Sequence, residues 1–319
     1  MGERRTRDEA LDRARRAAPS GGILTGRAAS APILVLSVLA LVLPGCAPRL
    51  RYVDGVDPLG FLAPDLRFYL SSSRAETLAL AESFAEAGRR DFAIMAADRV
   101  DRLALGAGED GRFEAAAYGS FPAGRADALL AADPGWKREG EGWRETGGAL
   151  RVAFADSRLA LASNRPLALM TPRLLEPGPS ALPDAASDLS GGDLLVVVPD
   201  AYAVLSGLAG DEDGAASARF TLAAAWYVDG ALSRETRAVF VFTDERSARV
   251  YESVARLALY GAVRALFDPG SGDALLAGAA WSRDGALVRV RLPSVDDAAW
   301  RDALARLAAT VRAGAGRND

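Results

Sequence analysis

The chain has 319 residues but no histidine and no glutamine, and it contains one lysine, Lys137, and one cysteine, Cys46. The absence of histidine excludes Ser-His-Asp catalysis, Cys-His catalysis and His-bearing zinc sites. A single cysteine excludes a disulfide within the chain. Paired carboxylates, as in glycan-cleaving enzymes, are the catalytic chemistry that remains. We therefore predict a non-enzymatic protein without catalytic residues, metal or cofactor.

The N-terminus divides into three stretches. Residues 1–30 contain seven arginines, residues 31–43 are apolar and uncharged, and Pro44 and Gly45 then precede Cys46. As a helix, the apolar stretch would cover about 20 Å, against about 30 Å for the hydrocarbon core of a bilayer. It therefore predicts a signal peptide and not a membrane span.

Leu43-Pro44-Gly45-Cys46 resembles the lipobox of bacterial lipoproteins, in which a leucine and two further residues, usually small, precede the cysteine. The resemblance implies cleavage before Cys46, lipid attachment to that cysteine and an extracytoplasmic chain anchored to a bacterial membrane. Ala47 replaces the aspartate that signals inner-membrane retention in enteric bacteria, which favours the outer membrane. The alternative is an unmodified buried cysteine that follows a signal anchor.

The charge of the mature part argues against several partners. Residues 1–45 hold seven arginines and four acidic residues, which leaves 31 of the 38 basic and 38 of the 42 acidic residues, a net charge of −7. An acidic chain is not expected to bind nucleic acid or to adhere to anionic lipid by charge. The predicted partners are the membrane, through Cys46, and other envelope proteins or a glycan.

Proline- and glycine-rich segments predict the domain boundaries. Beyond the signal peptide we expect a tether at 46–64, a first α+β domain at 65–170, a linker at 171–192 and a second α+β domain at 193–319. Each domain has the order β-α-β-β-α-β-β. The predicted fold is α+β, with two similar units built from antiparallel sheets that carry helices on one face.

Local patterns predict the elements. Ser73 and Glu76 have the spacing of a capping box at the start of the first helix, and the last helix is predicted to begin at Ser294. The stripe predicted to face the core in the long helix comprises Val250, Val254 and Leu257. The predicted helices that precede the last one lie at 73–88 (the first helix), 123–132, 200–208 and 244–267 (the long helix). Strands are predicted at 65–71, 99–106, 112–119, 149–155, 158–163, 193–198, 218–228, 236–243, 277–283 and 286–292.

Three motifs have the residue types of a binding site. Trp136 and Trp143 flank a charged segment, where they could face a ligand such as a sugar ring, or could instead close the edge of the core in a hairpin. Gly106-x-Gly108-x-x-Gly111 has the letters of a dinucleotide fingerprint, but a strand follows it, so a hairpin loop is predicted. The acidic segment 211–214 predicts a solvated turn.

These observations favour a lipid-anchored cell-envelope protein with a binding or scaffolding role. One alternative is a glycan-cleaving enzyme, which needs two carboxylates facing one cleft. Another is a carrier of an apolar ligand, which needs a closed apolar pocket between sheet and helices.

Overall fold

The computed structural model describes residues 50–85, 90–201, 220–229 and 233–315. Cys46 and the rest of the predicted lipobox lie outside these ranges. So do the acidic segment 211–214 and, apart from its first two residues, the predicted helix at 200–208.

The described strands form one antiparallel sheet of 12 strands. Its order is β11-β12-β10-β9-β8-β1-β2-β3-β7-β6-β5-β4. The strands of the N-terminal half are β1 (Phe68–Ser73), β2 (Val100–Ala107), β3 (Phe113–Gly119), β4 (Trp136–Glu139), β5 (Gly142–Glu145), β6 (Arg151–Phe154) and β7 (Leu159–Ser163). Those of the C-terminal half are β8 (Leu194–Val198), β9 (Phe220–Asp229), β10 (Ser233–Phe242), β11 (Ala280–Asp284) and β12 (Leu287–Asp296).

The two halves meet at the pairing of β1 with β8, where Leu70 lies opposite Val196. Outward from this pair, the N-terminal half runs β1-β2-β3-β7-β6 and the C-terminal half runs β8-β9-β10-β12-β11, so each half places its last strand inside the preceding one. The predicted α+β class, with similar units and antiparallel pairing, is confirmed. The two expected sheets are joined into one, because pairing β1 with β8 removes two exposed edges.

The helices pack against one face of the sheet, as predicted. The first begins at Arg74 and ends at Phe84, shorter than expected, and the Ser73 side chain makes no capping hydrogen bond. The α-helices of the described residues are α1 (Arg74–Phe84), α2 (Arg90–Ala97), α3 (Ala123–Ala132), α4 (Thr171–Leu175), α5 (Glu245–Leu266), α6 (Pro269–Ala277) and α7 (Asp297–Ala315). Of these, α4 lies on the opposite face of the sheet from the others.

The opposite face of the central strands has a second cover, which the sequence analysis did not predict. It is built from residues 50–66 and 167–189, and includes the 3-10 helices Pro58–Phe61, Leu167–Leu169 and Asp184–Leu189. Much of the predicted tether and linker thus lies in the core. The cover is required because Phe113–Ala117 of β3 is buried on both sides of the sheet.

Two of the three residues predicted to face the core in α5 are exposed, since Val250 is 57 % exposed and Leu257 is 70 % exposed. The third, Val254, is partly buried. The fully buried residues are Ala248, Ala255 and Val263, so the face of the helix that meets the core combines two alanines with a valine. The last helix also begins later than predicted, because β12 continues through Ser294 to Asp296.

Candidate functional site

An open groove lies at the end of the sheet where β2 begins and β3 ends. Its cavity volume is about 420 Å³, within the roughly 300–1,000 Å³ typical of small-molecule sites. The remaining walls come from the segment before the first 3-10 helix and from the turn before β7. The lining residues are Asp54, Gly55, Val56, Asp57, Pro58, Asp101, Arg102, Tyr118, Gly119, Arg158 and Ser190.

Arg102 is the half-buried cation of the groove. A shift in the β2–β3 register between Val100 and Arg102 places its side chain on the face that carries the second cover. Its Nε donates to the hydroxyl of Ser71 at 3.0 Å, and its two terminal nitrogens reach backbone carbonyls at 3.5 Å, the outer limit of a hydrogen bond. No carboxylate of the described residues forms an ion pair with it.

The three carboxylates of the groove differ in their partners. Asp54 pairs with Arg158 at 2.7 Å, with both side chains more than half exposed. Asp57 caps the first 3-10 helix by accepting the backbone N–H of Leu59 at 3.0 Å. Asp101 is exposed and forms no ion pair with any residue that the structure describes. The groove therefore contains both signs of charge, with Arg102 and Asp101 outside ion pairs.

Two phenols stand beside the groove. The Tyr52 hydroxyl donates to Asp156 at 3.1 Å. The ring centroids of Tyr52 and Tyr118 are 6.2 Å apart. Burial, the largest cause in both residues, raises the pKa of Tyr52 and of Tyr118 to about 12, with nearby carboxylates adding to the effect. Both hydroxyls therefore stay neutral well above physiological pH, and they act as hydrogen-bonding groups and not as bases.

Gly119 is required where β3 reaches the groove. A Cβ at this position would collide with the backbone carbonyl oxygen of Arg99. That close approach brings the turn after β3 against the start of β2, and Ser120 donates its N–H to the same Arg99 carbonyl at 2.8 Å.

Trp136 and Trp143 lie far along the sheet from the groove lining, on the outermost strands β4 and β5. Trp143 is 6 % exposed, and its indole N–H donates to Asp127 of α3 at 2.6 Å. Trp136 is partly buried against the same cluster. Trp143 is thus buried in the hairpin at the edge of the core, and Trp136 packs beside it.

The glycine motif also takes its predicted form, since Gly111 lies at φ +71° in the hairpin between β2 and β3. Among the residues that the structure describes, no group of three or more acidic or other metal-ligating side chains is arranged to hold a metal ion. In the same part of the chain, no helix combines the length and apolar character needed to cross a bilayer.

Two buried glutamates were missed as sites of interest. Glu76, assigned above to a capping box, instead accepts from Arg234 at 2.9 Å and from the indole of Trp300 at 2.9 Å. Glu114 accepts from Arg173 at 2.7 Å and from the backbone N–H of Ala63 at 2.8 Å. Both carboxylates are held by protein partners and connect separate parts of the fold.

The groove residues were also missed. Arg102 shares its face of β2 with Ala104 and Gly106, whose small side chains indicate a covered surface. That pattern could have indicated that the Arg102 side chain lies on a covered face of the sheet. The segment that forms the opposite wall was predicted as a tether, so the sequence offered no partner for it.

Comparison with known proteins gives a fold but no family. No family model matches the chain, and no curated protein matches it. Similar solved structures include crystal forms I, III and IV of TP0453. Form IV has a TM-score of 0.56 at 11% identity over 81% of this chain and 97% of that chain. Form III has a TM-score of 0.54 at 11% identity and covers 82% of this chain and 100% of that chain. Form I has a TM-score of 0.54 at 14% identity and covers 82% of this chain and 98% of that chain. At this identity the likeness concerns the fold alone.

Proposed function

We propose that this chain is a lipid-anchored protein of the bacterial cell envelope, held at the outer membrane through Cys46, with a non-enzymatic binding role centred on the groove. The observation that carries the anchor is the order of the leader: an arginine-rich stretch, an apolar stretch of residues 31–43 and then Leu43-Pro44-Gly45-Cys46.

The start of the fold supports a binding site close to the anchor. Leu50, the first described residue, already packs against the core cluster of the second cover, together with Tyr52 and Val56. Three residues lie between it and Cys46, so the two Cα atoms are at most about 14 Å apart. A lipid on Cys46 would therefore keep the segment Asp54–Pro58, which forms one wall of the groove, near the membrane surface.

The roles of the groove carboxylates support binding over catalysis. A glycan-cleaving mechanism needs one carboxyl group as an acid and a second as a nucleophile or base. Asp54 forms an ion pair with Arg158, and Asp57 accepts the backbone N–H of Leu59. Asp101 therefore has no second carboxylate in the groove that lacks such a partner and could act with it on a substrate. The open, charged walls are likewise unlike the closed apolar pocket that a carrier of an apolar ligand needs.

Replacement of the cysteine tests the anchor. In a producing bacterium, the full chain should lose residues 1–45, gain lipid mass and partition into the detergent phase. Cys46→Ser should stay uncleaved and unlipidated, while the control Ser30→Ala, outside the lipobox, should behave as the parent chain. Intact mass and phase partition are the measurements. Unchanged processing and membrane association in Cys46→Ser would overturn the proposal.

A further inference from the structure

We propose that the groove binds a small zwitterion, a molecule in which a primary ammonium group and an oxyanion lie a few bonds apart. This inference rests on the binding role proposed above and is independent of the lipid anchor. It follows from the charges of the groove walls and from the way in which each charged group is already engaged.

Arg102 is the oxyanion-binding group. Its guanidinium lies on the groove wall, and its terminal nitrogens make only 3.5 Å contacts to the carbonyls of Gly192 and Ser190. A phosphate or carboxylate offers shorter, charge-assisted hydrogen bonds in the bidentate geometry that guanidinium favours. The Nε bond to Ser71 fixes the side chain, so the terminal nitrogens are oriented before a ligand arrives.

Asp101 and Asp57 form the ammonium-binding side. Asp101 is exposed beside Arg102 and outside any ion pair with the described residues. Asp57 uses one carboxylate oxygen, Oδ1, for the Leu59 cap, and carboxylate oxygens have further lone pairs for a donor. An ammonium group carries three N–H donors and can bridge two such carboxylates.

The balance of charge selects this class over simpler ligands. A ligand with only negative charge would meet the carboxylates of Asp57 and Asp101 in the same groove, while the charge of Asp54 is offset by Arg158. A ligand with only positive charge would meet the guanidinium of Arg102, which has no carboxylate partner in the described chain to offset it. A dipolar molecule satisfies both sides. The neutral hydroxyl of Tyr118, which donates to the Val53 carbonyl at 3.4 Å, can accept one further hydrogen bond.

Two sources could present this chemistry: a phosphoethanolamine headgroup of the membrane, or a free zwitterion such as an amino acid. The test uses the full chain in nonionic detergent micelles. Calorimetric titration with O-phosphoethanolamine, inorganic phosphate, ethanolamine and glycine compares the dipolar probes with each charge alone. We expect at least one dipolar probe to bind about tenfold more tightly than phosphate or ethanolamine.

Charge-removing variants locate the site. Arg102→Leu and Asp101→Asn should each weaken binding of the preferred probe about tenfold. Their matched controls, Arg264→Leu and Asp273→Asn, remove the same charges from one exposed ion pair outside the groove lining and should leave binding unchanged. If Arg102→Leu fails to fold, Asp101→Asn still decides, because its side chain is exposed.

Lipid added to the micelles separates the two sources. If the ligand is the headgroup, mixed micelles containing phosphatidylethanolamine should compete with the soluble probe, and mixed micelles containing phosphatidylglycerol should not. If it is a free zwitterion, neither lipid should compete while glycine or O-phosphoethanolamine still binds. The proposal is overturned if no dipolar probe binds, if phosphate alone binds as tightly, or if Asp101→Asn binds like the parent chain. These outcomes do not depend on the processing of Cys46.

Discussion

Glu76 and Glu114 are both buried glutamates bound to an arginine, but they lie on opposite faces of one sheet and connect different parts of the molecule. Glu76 is fully buried on the helix face, where its partner Arg234 has 8% of its side chain exposed. Glu114 is buried under the second cover, and its partner Arg173 has 19% exposed. The first pair is therefore sealed from water and the second is partly open to it.

The partners show what each carboxylate holds. Glu76 joins α1 of the N-terminal half to β10 and α7 of the C-terminal half, through residues 158 and 224 positions away along the chain. Arg234 extends the network to Asp297, which pairs in turn with Arg301. Glu114 attaches the two irregular segments of the second cover to β3. One carboxylate thus links the halves, and the other attaches the cover.

The largest effect is expected from Glu76→Leu. The change leaves Arg234 in the core with only Asp297 as a charged partner and removes the acceptor for the Trp300 indole. Breaking a buried ion pair in this way costs about 3–5 kcal/mol. Urea unfolding should show that loss in the free energy of unfolding.

The matched control is Glu82→Leu on the same helix. Glu82 pairs with Arg301 at a site where both side chains are about one third or more exposed, and such pairs contribute about 0–1 kcal/mol. Equal losses for Glu76→Leu and Glu82→Leu would show that the interior network does not join the halves as described.

The second effect in size is expected from Glu114→Leu. Arg173 keeps its hydrogen bond to the Phe61 carbonyl and reaches water, so it is less stranded than Arg234. Loss of hydrogen bonds to a charged group costs roughly 1.5–3 kcal/mol. Hydrogen exchange should show a faster exchange rate at the Ala63 amide and a smaller change in the exchange rates of the helix layer.

Glu114→Gln provides the comparison for that variant. Its amide oxygen still accepts the Ala63 N–H, so about half of the loss should be recovered. A Glu114→Leu protein with an unchanged Ala63 exchange rate would contradict the role of Glu114 in attaching the cover.

Sequence patterns predicted elements whose signals are local. The strand at 112–119 and the helix at 123–132 match β3 and α3 within one residue, because alternation and helix boundaries are set by neighbouring residues. Glu76 shows the limit of such signals. Its spacing from Ser73 fits a capping box, yet a buried arginine 158 residues away outcompetes the local backbone N–H for its carboxylate.

The second cover and the groove depend on contacts that no local pattern contains. Leu59, Phe61 and Leu62 follow prolines and glycines without periodicity, so the segment reads as a tether until the sheet supplies an apolar face for it. The apolar run Leu194–Val198 did predict a strand, and in the structure four of its five residues are buried. Identifying what covered it required the structure, and the groove is formed by that cover.

A smaller effect is expected from Trp143→Phe at the far edge of the sheet. Phenylalanine keeps most of the packing but loses the 2.6 Å hydrogen bond to Asp127. The free energy of unfolding should fall by about 1.5 kcal/mol, the lower range for a bond to a charged group. Trp136→Phe, which loses no hydrogen bond that the structure describes, should change stability by less than about 0.5 kcal/mol. The assignment of Trp143 to the core edge fails if the two variants are equally stable.

The smallest effect is expected on the outer face of α5. Leu257 is 70 % exposed, so Leu257→Ser should change the free energy of unfolding by less than about 0.5 kcal/mol. Val263→Ala on the inner face removes two buried carbon groups and should cost about 2 kcal/mol. The sequence pattern predicted Leu257 in the core. A larger loss in the free energy of unfolding for Leu257→Ser than for Val263→Ala would support that prediction and contradict the orientation of α5 described above. The expected order, measured by urea unfolding under one set of conditions, instead assigns the core contact of α5 to the face that carries Val263 and the buried alanines.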